Sequence, residues 1–150
     1  MKRLLCTCLA LAMLLSFSGC SMPVYEDTNG EDNYSLQTIT DEDIVQGIST
    51  TKVMSSTVTV NRKTVCKAKT MSGVESLWEQ KLENETLEIV VSCEITKGNA
   101  KLVLVVDDEI VHTFSLNEDN QRVTLENVTG EVSLKLAGED AGYAVSFEFE

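Results

Sequence analysis

Residues 86–96, TLEIVVSCEIT, alternate apolar and polar side chains, so that Leu87, Ile89, Val91, Cys93 and Ile95 share one face. Successive side chains of a strand point to opposite sides of a sheet, so this period of two specifies a half-buried β-strand. The pattern returns down the chain. Residues 51–61 and 64–71 are rich in β-branched side chains and flank Asn61-Arg62-Lys63. Residues 74–82, VESLWEQKL, fit a strand or two helical turns equally well; with strands on both sides they are assigned as a strand, with Val74, Trp78 and Leu82 on one face. Residues 101–106 and 109–116 form a hairpin across Asp107-Asp108, because Asp tolerates the positive φ of a tight turn. Leu102, Leu104 and Val106 face inward on its first strand, and Ile110, His112, Phe114 and Leu116 on its second. Val123 and Leu125 mark the next strand, then Val132, Leu134 and Leu136, then Tyr143, Val145, Phe147 and Phe149.

Between these runs lie Ser72-Gly73, Glu83-Asn84-Glu85, Lys97-Gly98-Asn99, Asn127-Val128-Thr129-Gly130 and the glycine-flanked loop 138–142. These connections are too short for parallel crossovers, which need a dozen or more residues. The expectation is an all-β domain over residues 49–150, an antiparallel β-sandwich of about eight or nine strands.

The N-terminus follows different rules. Lys2 and Arg3 precede a mostly apolar run from Leu4 to Phe17, the length of a signal-peptide core and short of the roughly 20 residues that span a bilayer. Phe17-Ser18-Gly19-Cys20 resembles the lipobox of bacterial lipoproteins, where a large apolar residue and two small ones precede a cysteine. The resemblance implies a lipoprotein signal peptide over 1–19, cleavage between Gly19 and Cys20, and a diacylglyceryl group on the Cys20 thiol. It also implies a chain held by palmitate-type acyl groups on the extracytoplasmic face of a bacterial membrane. Phe17 departs from the leucine usual at that position. More broadly, the strand-and-glycine pattern of about residues 86–150 resembles small β-sandwich lipoproteins of uncharacterised function.

Residues 20–48 hold Glu26, Asp27, Glu31, Asp32, Asp41, Glu42 and Asp43 with no Lys or Arg, and no sustained apolar period. They read as a flexible acidic tether, with Thr40 and Asp43 able to cap one short helical turn. Asp27-Thr28-Asn29-Gly30 does not keep the calcium-loop spacing, in which glycine stands sixth. Without the leader, which carries Lys2 and Arg3 and no acid, the formal charge falls from −12 to −14. Such a balance disfavours nucleic acid and anionic surfaces as partners.

Of five cysteines, Cys6 and Cys8 leave with the leader and Cys20 takes the lipid, so Cys66 and Cys93 remain. Outside the cytoplasm they could close a disulfide, or pack as small apolar groups; both readings stay open. No metal-ligand spacing, phosphate-binding loop or nucleophile motif is present, and His112 is the only histidine, so neither metal nor cofactor is expected. Asp107, Asp108 and, should the loops meet, Asp140 are candidates for a cation site. Trp78 and, at a loop edge, Tyr143 are candidates for ligand contact. The expected function is a non-enzymatic, membrane-anchored module for an envelope protein or glycan. The alternatives are a carboxylate-based envelope hydrolase or metal-dependent enzyme, and an accessory subunit of a membrane complex.

Overall fold

The computed structural model describes residues 34–150. The leader, the cleavage position, Cys20 and the first part of the acidic segment lie outside the described residues. The elements run α1 (Asp41–Gln46), β1 (Thr51–Val60), β2 (Lys63–Val106), β3 (Glu109–Phe114) and β4 (Glu118–Phe149), and all strand pairing is antiparallel. The all-β expectation holds.

The strands are longer and fewer than the sequence pattern suggests. Pairing runs through Gly73, Asn84, Gly98 and Asp140 with local register shifts instead of stopping there. A β-bulge absorbs an extra residue and bends a strand without releasing it from its ladder, which is why turn-like residues here do not end strands. The expected hairpin at Asp107-Asp108 does end a strand, and so does the turn at Asn61-Arg62.

β2 and β4 meet twice. Residues 63–93 of β2 pair with 148–118 of β4, and residues 89–106 pair with 149–132. The stretch 132–148 therefore has β2 on both sides. Val145, for example, is the register partner of Cys66 on one side and Cys93 on the other, and Leu134 lies between Trp78 and Leu104. β1 continues the sheet beyond residues 63–72, and β3 pairs with residues 102–106.

Two apolar clusters occupy opposite faces of this sheet. The larger holds Leu87, Ile89, Val91, Cys93, Ile95, Leu102, Leu104, Val132, Leu134, Leu136, Tyr143, Val145 and Phe147, the residues whose alternation marked them as inward. Bulges change parity in two places. Val74 lies in the other cluster from Trp78 and Leu82, because the register shifts between Ser76 and Trp78. Ile110 leaves the face of Phe114, because the register shifts between Leu104 and Val105.

The second cluster holds Ile44, Val74, Val103, Val105 and Ala137, with Leu36, Ile39, Val45 and Ile110 packed against it. It corrects the expected tether boundary at residue 48. From Tyr34 onward the chain belongs to the domain, and its apolar residues cover the face of Val103 and Val105. The six-residue helix α1 is too short to stand alone. It is held by its Thr40–Asp43 capping box and by Ile44, whose complete burial contributes about 2 kcal/mol. Glu139 secures the segment. Its carboxylate accepts the backbone N–H groups of Gln37 at 2.8 Å, Thr38 at 2.5 Å and Ile39 at 3.0 Å, and the Thr38 hydroxyl at 2.8 Å. Burial alone would raise the pKa of this carboxyl; the converging donors outweigh it and bring the value down to about 2.

Candidate interaction surface

The hairpin of β1 and the first turn of β2 is the part of the domain least covered by the rest. Its sequence explains why it still forms. Thr51, Val53, Thr57, Val58, Thr59 and Val60 are β-branched and favour extended backbone. Asn61 and Arg62 both adopt positive φ, at 50° and 67°, which matches the right-handed twist of a two-residue hairpin turn. Cross-strand contacts on the inward side add to this: Thr59 Oγ1 lies 2.9 Å from Thr64 Oγ1, and the Thr57 hydroxyl donates to Cys66 Sγ at 3.7 Å. At the far end Lys52 pairs with Glu75, which also accepts the Tyr143 hydroxyl at 2.8 Å. Burial, reinforced by Glu75, pushes the Tyr143 phenol up, so it remains a donor at neutral pH.

All ten residues of β1 are exposed. They include Val53, Met54, Val58 and Val60, at 51% to 76% exposure, the four most exposed large apolar side chains among the described residues. The outward side is set by register: Ser56 faces Lys67, Val58 faces Val65, and Val60 faces Lys63. Lys69 follows two residues beyond Lys67 on the same side, beside the positive-φ residue Met54. The result is a face in which the exposed Val58 and Val60 of β1 lie beside Lys63, Lys67 and Lys69 of β2.

Charge is segregated there. From Ile44 to Val74 the sequence has no acid, yet it holds Lys52, Arg62, Lys63, Lys67 and Lys69. Among the described residues Lys52 is the one of these five that forms an ion pair. The mean charge of the chain conceals this block; counting acids and bases by segment finds it in the sequence itself.

The residues singled out from the sequence fall elsewhere. Cys66 and Cys93 are buried free thiols. They flank Val145 from opposite sides, so a whole strand lies between them. Two strand spacings come to about 10 Å, beyond the roughly 4.4–6.8 Å between Cα atoms that a disulfide bridges. Burial raises both thiol pKa values, that of Cys93 to about 12, which leaves neither ready to act as a thiolate. Tyr143 is 3% exposed and turned into the core, away from any ligand. Trp78 is half-buried against the larger cluster, its ring 4.4 Å from that of Phe149. His112 is partly exposed and packs edge-on against Phe114 at 4.7 Å.

The three aspartates do not converge. Asp107 accepts the backbone N–H of Glu131 at 2.8 Å, whereas Asp140 pairs with Lys97 at 3.1 Å. About nine residues of β4, roughly 30 Å of extended chain, separate those two positions. Among the described residues no group of three or more His, Cys, Asp or Glu side chains is placed to hold a metal ion. Among the same residues no helix is long and apolar enough to cross a membrane. No known family matches the chain, and no curated protein does.

Proposed function

We propose that this chain is a lipid-anchored, extracytoplasmic interaction module of a bacterial envelope, whose β domain binds an envelope partner and catalyses no reaction. The lipobox-like sequence ending at Cys20 supports the location. Two acyl chains on one residue supply the second anchor that stable membrane attachment needs. The finer architecture proposed for the domain is an eight- or nine-stranded sandwich, each long strand counted as two where its register shifts. One cluster lined from both sides of those shifts supports that count.

One observation carries the interaction reading. A ten-residue strand is wholly exposed and displays four large apolar side chains. Soluble domains usually blunt such an edge or cover it, and a long edge left uncovered is a template for pairing with another chain.

The anchor is tested by growing cells with an alkyne fatty acid. The wild-type chain is expected to carry the label and stay with the membrane. Cys20→Ala is expected to lose the label and to accumulate as precursor or leave the membrane. Equal labelling of the two would contradict the assignment.

A further inference from the structure

We infer that the free edge of β1 is a docking site for an acidic extended segment of a partner protein, which adds to the sheet as a further strand. This deepens the interaction reading above and rests on it. Among the described residues β1 pairs with β2 and with nothing else, so one row of its backbone donors and acceptors is unpaired. An extended peptide satisfies such a row directly.

The chemistry of the partner follows from charge and register. A strand added to β1 would lie about 10 Å from the strand that carries Lys63, Lys67 and Lys69. The Lys67 and Lys63 side chains can lie across their smaller register partners Ser56 and Val60 and keep their ammonium groups in solvent at that distance. Outward residues of the incoming strand level with Lys63, Lys67 and Lys69 would therefore meet cations, with Val65 between the first two, and Asp or Glu at those positions satisfies them. The exposed Val58 and Val60 lie on the same outward face, beside those cations, and offer apolar contact to the stems of the outward side chains. A phosphate surface would leave that apolar component unused. A second copy joined through β1 would set two cationic hairpins edge to edge, because the acids beside them, Glu75 next to Lys52 and Glu148 opposite Lys63, lie on β2 and β4 and not on β1.

The test uses the full chain in detergent and a fluorescent ten-residue peptide that alternates glutamate with threonine and valine. Binding at physiological ionic strength is expected. It should weaken by about tenfold or more when lysine replaces each glutamate, because the charge pattern inverts. A central pair of prolines should abolish it, because proline cannot pair in a strand. The triple variant Lys63→Glu, Lys67→Glu, Lys69→Glu should lose the acidic peptide and keep its thermal midpoint, since all three side chains are exposed.

Equal binding of the proline-interrupted peptide would overturn strand addition in favour of simple charge attraction. Failure of the peptide together with binding to phosphatidylglycerol vesicles would overturn it in favour of a lipid surface. Light scattering that shows β1-dependent dimers, with no peptide binding, would overturn it in favour of a second copy. A chain that binds the peptide but is not labelled at Cys20 would refute the anchor alone; a labelled chain that ignores the peptide would refute this site alone.

Discussion

Gly73→Ala should lower the stability of the domain by about 3 kcal/mol, read as a drop in the urea midpoint at unchanged slope. Gly73 has φ of +110°, a conformation an alanine rarely adopts. Space compounds the strain. A Cβ at that position would sit 2.1 Å from the Ser49 carbonyl oxygen and 2.9 Å from the Thr50 Cα, both backbone atoms that cannot swing aside. The site is structurally demanding because β2 bends there while the chain entering β1 crosses it, with the Thr50 hydroxyl bonded to the Val74 carbonyl. Gly47→Ala is the matched control. Its φ is also positive, at +75°, but nothing lies within 4 Å of the added carbon. It should cost about 1 kcal/mol, the backbone part alone. Equal losses for the two variants would show that the close approach of residues 49–50 to the β2 bend is wrong.

Leu134→Ala should cost about 3–5 kcal/mol, enough to remove most of the margin of a domain this size. Leu134 is fully buried, with Trp78 and Leu104 as its register partners on either side. Removing it opens a cavity at the centre of the larger cluster, where strands paired on both sides have little freedom to close in. Val58→Ala, on the uncovered face of β1, should move the midpoint by no more than about 0.5 kcal/mol. The contrast between two apolar truncations tests which surfaces the fold buries. Comparable losses would mean that β1 is covered in the free chain.

Much of the core was legible in the alternation of single strands. Leu87 through Ile95, Val132 through Leu136 and Tyr143 through Phe147 face inward as their period of two requires. The same alternation could not show where bulges invert it. Val74 and Ile110 therefore fall on the opposite face from the one their sequence phase assigns. Gly73, Gly98 and the 138–142 stretch look like turns because a bulged bend and a turn draw on the same residues; only pairing partners tell them apart.

The covering segment left a trace that alternation alone overlooks. Residues 102–105 are apolar at every position, as a strand buried on both faces must be. Something therefore had to cover Val103 and Val105, and Leu36, Ile39, Ile44 and Val45 are the scattered apolar residues that do it. The acidic composition of residues 20–48 obscured them. The basic block was hidden in the same way. A net charge of −12 for the whole chain masks a run from residue 44 to 74 without a single carboxylate.

The central claim is that residues 34–50 belong to the folded domain, while the β1 edge is left open for a partner. Amide hydrogen exchange on the full chain tests both halves at once. At neutral pH the account predicts slow exchange at Ile44, Val103, Val105 and along 132–147, with fast exchange at the outward amides of β1. Glu139 adds a pH signature. Its folded pKa is lowered to about 2, so the stability it lends is present above the unfolded carboxyl value of about 4.3 and is lost as pH falls through the folded one. Protection at residues 37–46 should therefore persist at neutral pH and disappear between about pH 4.3 and 2, ahead of the core strands. Rapid exchange throughout 34–50 at neutral pH, or β1 amides as slow as those of 132–147, would contradict the account.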